Sequence, residues 1–157
     1  MAESSLYSLD NEVFRVYLTY AVVLVLKMFF IAFYTSFVRI TKKVYANKED
    51  FGIGYPEEKA KERISKGNDR VERVRRCHLN DLENIPVFLV IGLLYVAINP
   101  VASTAILHYR IFTAARFIHN VAYLLPLPQP CRALGFTTGV LVTASMGIQI
   151  LRAAAQF

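Results

Sequence analysis

Residues 16–38 form a 23-residue apolar run broken by one charge, Lys27, and residues 133–151 form a 19-residue run with none. A helix crossing the hydrocarbon core of a bilayer needs about 20 apolar residues, so both runs read as spans and exclude a soluble globular fold. Residues 39–76 have the opposite character: this 38-residue segment holds 12 Lys/Arg and 7 Asp/Glu, whereas the other 119 residues share 11 charges. The formal net charge of +6 therefore belongs mainly to one loop. A basic loop between apolar blocks marks the cytosolic side of a membrane protein, and no nucleic-acid partner is expected. A composition that is 55% hydrophobic excludes a disordered chain. Two cysteines, Cys77 and Cys131, match neither a disulfide framework nor a zinc signature.

Between the two clear spans the pattern is subtler. Residues 85–98 are apolar over only 14 positions, but residues 71–83 upstream contain neither Gly nor Pro. One long helix therefore begins near Asn68 or Asp69, either of which suits an N-cap, and enters the membrane behind a polar front half. Pro86 removes the bond to the Leu82 carbonyl and permits a kink. Asn99-Pro100 marks a turn. Residues 103–125 give a further span that carries Arg110, Arg116 and His119 and stops at Pro126-Leu127-Pro128-Gln129-Pro130. The reading is an all-α integral membrane protein of one domain, residues 1–157. Its four-transmembrane-helix bundle spans about 13–38, 69–98, 103–125 and 132–152, with a cytosolic loop at 39–68. Both termini then face the lumen or exterior. Residues 1–5 lack the basic region of a cleavable signal peptide, and residues 155–157 carry neither a prenylation nor an ER-retrieval motif.

Charged groups at bilayer depth cost several kcal/mol unless they face a bundle interior or watery cavity. Glu72, Arg76, Asn80 and Glu83 fall at i, i+4, i+8 and i+11, one helical stripe, flanked by Arg75 and His78. Arg116, His119 and Tyr123 form a second stripe at i, i+3, i+7, and Arg132 opens the last helix. All of these lie toward the cytosolic end, where they describe a cationic, hydrogen-bonding pocket. Arginine forks bind carboxylates bidentately, Glu83 suits an ammonium and Asn80 either group, so the pocket fits a small polyanion.

Each assignment has a plainer competitor. Residues 48–68 read mainly as a solvated loop, and the acids interspersed there weaken a polybasic lipid-binding role. Arg73 and Arg75 could meet lipid headgroups. His119 fits a packing role as well as a ligand contact, and His108 reads as structural. His78 has no acid or histidine at i+4, so no metal is expected. Gly135, Gly139, Thr143 and Gly147 recur every four residues and read as a helix-packing face. Cys77 reads as a buried inert thiol. Lys27 and Asp81 lie about 20 and about 25 Å from the luminal end at ~1.5 Å per residue, which predicts a buried ion pair that fixes helix packing.

The segment Val71-Glu72-Arg73-Val74-Arg75-Arg76-Cys77-His78-Leu79-Asn80-Asp81-Leu82-Glu83-Asn84 closely resembles the signature of the membrane-associated eicosanoid and glutathione metabolism family. The resemblance extends through residues 39–47, 116–123 and 126–134 and covers nearly the whole chain. Within the family it favours the glutathione transferase branch over the prostaglandin-isomerising branch. The isomerases carry serine and tyrosine where this chain has Ala133 and Phe136. The resemblance implies a homotrimer in the endoplasmic reticulum membrane, with the outer mitochondrial membrane as a second location. Glutathione would be the co-substrate, bound between neighbouring subunits at a cytosol-facing site, and hydrophobic electrophiles or lipid hydroperoxides the acceptors. It carries glutathione contacts onto Arg39, Arg75, Arg76, His78, Asn80, Glu83, Arg116, His119 and Tyr123, and the catalytic arginine beside the glutathione sulfur onto Arg132. Mammalian members carry a stress-reactive cysteine where this chain has Phe51, so activation by thiol modification there is not expected. The residues alone, without the resemblance, also fit a non-enzymatic bundle that organises assembly or binds membrane lipid.

Overall fold

The computed structural model describes residues 6–155; the readings made on residues 1–5 and 156–157 lie outside the described residues. Five α-helices and one 3-10 turn account for the described chain, which contains no strand. Helix α1 spans Glu12–Lys42. It starts where the Asn11 side chain accepts the Val13 and Phe14 N–H groups at 2.9 and 3.4 Å, satisfying donors that a first turn leaves unpaired. It stops at Lys43, whose left-handed backbone (φ 52°) lets the Val44 N–H return to the Arg39 carbonyl.

The segment read as a loop contains a 3-10 turn, Lys48–Phe51, and a ten-residue helix α2, Glu57–Lys66. The described residues therefore hold five helices, one of them inside the segment expected to be loop. The signals for α2 are electrostatic rather than apolar: Glu57 and Glu58 sit in the first turn, and Arg63 and Lys66 in the last. That order complements the helix dipole, and Gly67 (φ 58°) ends the helix. Lys48 and Lys61 hold Glu57 at 2.8 and 3.2 Å and keep its carboxyl below the usual range, Lys48 chiefly.

Helix α3, Asp69–Ala97, runs unbroken through Pro86. Asn68 is the cap, accepting the Arg70 and Val71 N–H groups at 3.0 and 3.2 Å. Helices α4, Ala102–Leu124, and α5, Gln129–Ala154, complete the bundle. α5 begins before Arg132 because Pro130 falls in its first turn, where a missing N–H costs nothing. α1, α3 and α5 are long and apolar enough to cross a membrane; α4, similar in length, is less apolar. Its polar residues are largely turned inward, and Thr113, Arg116, His119 and Asn120 are all buried.

α3 and α4 pack together at the centre, each contacting α1 and α5, while α1 and α5 do not touch. At the end away from the charged loop the core is aromatic. Phe88 and Phe112 stack at 3.8 Å between centroids, and Tyr109 meets Phe88 and Tyr17 edge-on. Tyr17 donates to the Leu89 carbonyl at 2.7 Å. A Cβ on Gly92 would lie 2.9 Å from the Tyr17 ring, so only glycine admits this contact. His108 donates from Nδ1 to the Thr104 carbonyl at 2.7 Å and accepts from Ser145 at Nε2, a structural bridge to α5. Toward the charged loop the core becomes polar.

Candidate functional site

The polar layer is organised around Asp81, which is fully buried. Lys27 Nζ donates to both of its oxygens at 2.7 Å, and Asn120 Nδ2 donates to Oδ2 at 2.7 Å. The ion pair expected from helix depth is therefore present, and α4 contributes the third partner. Beside this carboxylate, the fully buried Arg116 donates to Asn80 Oδ1 at 3.1 Å and to the Gly135 carbonyl at 2.7 Å. Its guanidinium lies on Gly139, where a Cβ would come within 3.1–3.3 Å. Gly135 likewise faces the α4 backbone, with the Ala115 carbonyl 3.1 Å from a would-be Cβ. Small residues let α4 and α5 approach closely here, whereas Gly147 faces open space.

Above this layer His119 donates from Nδ1 to the Arg132 carbonyl at 3.0 Å; since a carbonyl only accepts, Nδ1 carries the proton. Its buried Nε2 has no protein partner among the described residues. Arg132, in the first turn of α5, places its guanidinium 5.1 Å from the centre of the Tyr123 ring, a cation–π contact. Its Nε is buried and unpartnered. Arg132 and Tyr123 line a cleft of about 150 Å³ with Arg73, Arg76 and Asp69. Three guanidiniums against one carboxylate give the cleft a net positive charge, matched to a small anion with carboxylates.

The structure thus brings Arg76, Tyr123 and Arg132 to one cleft. It packs His119 directly beneath them through the Arg132 carbonyl, and buries Arg116 and Asn80 against each other deeper in the bundle. Arg75 is engaged with Glu72, donating from Nε at 3.1 Å and Nη2 at 2.9 Å; Arg39 lies in the field of the same carboxylate. His78 is half-buried, with Nδ1 unpartnered. Glu83 lies apart, in a largely apolar groove of about 360 Å³ between α3 and α5. The α3 stripe fails to converge because seven residues separate Arg76 from Glu83, about 10 Å along the axis. Residues of common azimuth need not share a depth. Arg73 was expected at most to meet lipid headgroups and Asp69 at most to cap α3; their proximity to Arg132 has no local signal.

This constellation can be set beside known proteins. The chain is 53% identical to microsomal glutathione S-transferase 1 of Bos taurus over 92% of both chains, and 52% identical to the Homo sapiens protein over the same share. It is 36% identical to prostaglandin E synthase of Bos taurus over 99% of both. With the MAPEG family model matching residues 17–152, nearly its whole length, the chain belongs to the MAPEG family.

Proposed function

We propose that this chain is a membrane glutathione transferase. The placement of Arg132 carries the reading: its guanidinium stands beside Tyr123 in a cationic cleft with an unpartnered Nε. About half-identity to microsomal glutathione S-transferase 1 supports the same branch. In this reading Arg73 and Arg76 hold glutathione carboxylates and Arg132 faces the sulfur. A free thiol has a pKa near 8.5, and a close guanidinium lowers it by roughly 1–3 units. The thiolate attacks a hydrophobic electrophile delivered by the bilayer; a C–S bond forms as the leaving group takes its electron pair. With a lipid hydroperoxide the thiolate attacks oxygen instead, and a second glutathione completes reduction to the alcohol, water and glutathione disulfide.

Four of the helices, α1, α3, α4 and α5, span the endoplasmic reticulum membrane as a single domain, with the cleft toward the cytosol. The outer mitochondrial membrane is a second location. Three copies assemble, and Arg39, Arg75, His78 and Glu83, which lie outside the cleft of one copy, complete the site across the subunit boundary. Asn80, Arg116 and His119 support it from within the bundle.

The test is conjugation of glutathione to a chloronitroaromatic electrophile by wild type and Arg132→Ala. Alanine keeps the backbone carbonyl that meets His119. Loss of a shift of about 2 units lowers the thiolate fraction at pH 7 from about 0.8 to about 0.03, roughly 25-fold, and moves the pH–rate profile to higher pH. Unchanged turnover removes the thiolate role. Absence of equilibrium glutathione binding to wild type would leave a non-enzymatic bundle.

A further inference from the structure

The charged residues from Lys42 at the end of α1 to Lys66 at the end of α2 have no part in the proposed glutathione binding, and the structure sorts them by sign. Lys59, Arg63 and Lys66 fall at i, i+4 and i+7 on α2, one face of the helix. They line a cavity of about 540 Å³ together with Lys42 and Lys43 from the end of α1. None of these five cations forms an ion pair with a described residue. Lys48 and Lys61 are taken instead by Glu57 on another face of α2. Of the acids in this segment only Glu62 borders the cavity. The interspersed acids that weaken a polybasic reading in sequence are thus largely segregated in space.

Depth gives a second argument. Lys42 and Lys43 follow within about a turn of the apolar run, near whose end Phe37 and Ile40 are exposed. The cavity therefore opens where an apolar helix leaves the bilayer, at the level of lipid phosphates. Five cations against one carboxylate leave four positive charges, which a single carboxylate or phosphate would not neutralise. We propose that this cavity binds a multiply phosphorylated anion, independently of the glutathione site. The phosphates belong either to a lipid headgroup of the adjacent leaflet or to a soluble polyphosphate.

The experiment uses full-length protein and two arms. In one, inositol trisphosphate is titrated calorimetrically into detergent-solubilised protein. In the other, the protein is released from nanodiscs of phosphatidylcholine containing phosphatidylinositol phosphate, and retained lipid is counted by native mass spectrometry. The triple variant Lys59→Ala, Arg63→Ala, Lys66→Ala is compared with Lys61→Ala, which removes a like charge from another face. Each neutralised cation near the phosphates is worth about fivefold, so the triple variant loses on the order of a hundredfold. Lys61→Ala stays near wild type, and conjugation activity is kept in both. Loss in the first arm alone identifies a soluble ligand, and in the second alone a lipid. No binding in either arm, or equal weakening by Lys61→Ala per charge removed, overturns the proposal in favour of an unspecific basic surface.

Discussion

Replacing Asp81 by asparagine, alone and with Lys27→Met, isolates the ion pair at the centre of the bundle. The carboxylate accepts two 2.7 Å bonds from Lys27 and one from Asn120, and Asp81 is entirely buried. Asp81→Asn leaves an ammonium without its counter-charge, and Lys27→Met leaves a carboxylate supported by one amide. Removing one partner of a buried pair costs about 3–5 kcal/mol, because the surviving charge is stranded. At 1.4 kcal/mol per decade that is two to three decades or more in the folding equilibrium. The double variant removes both charges, fills the space with an apolar chain, and keeps an amide oxygen for Asn120. Its stability returns to within about 1 kcal/mol of wild type or above it. The assay is SDS-driven unfolding in mixed micelles, followed by helical circular dichroism. If the double variant's loss equals the sum of the single losses within about 0.5 kcal/mol, the two residues are not coupled and the packing role assigned to the pair is wrong.

Three other outcomes follow from the same geometry. Gly139→Ala pushes a Cβ against the Arg116 guanidinium and is expected to cost about 1–3 kcal/mol in that unfolding assay, whereas Gly147→Ala, facing open space, changes stability by less than about 0.5 kcal/mol. Maleimide labelling read by intact mass modifies the half-buried Cys131 while sparing the fully buried Cys77 in folded protein; equal labelling would contradict the burial. Because the Glu57 carboxyl is held below its usual range, chiefly by Lys48, its favourable contacts are intact above the ordinary carboxylate range and are lost as pH falls through the lowered one. A carboxyl-selective NMR titration should show Glu57 titrating below the ordinary carboxylate range.

Much of the scaffold was legible because the relevant physics is local. An apolar run of bilayer length needs no neighbour to be recognised, and Asn68 caps α3 with its own side chain. The Lys27–Asp81 pair was legible too, since rise per residue gives depth and a charge in hydrocarbon requires a partner at that depth. Helix α2 was not, because its order comes from charge placement along the dipole rather than an apolar stripe.

The sequence by itself determined which residues carry charge into the membrane, at what depth, and on which stripe of their own helix. Spacing sets an angle about one axis but does not say which helix occupies that direction. Only tertiary packing turned Arg116 inward onto Gly135 and Gly139. The same packing brought Arg73 and Asp69 to Arg132. The physical reason is that the rotation of each helix is chosen by contacts with its neighbours. Two glycines on α5 let α4 close in, and that approach decides which polar groups are spent on holding the bundle and which remain at the cleft.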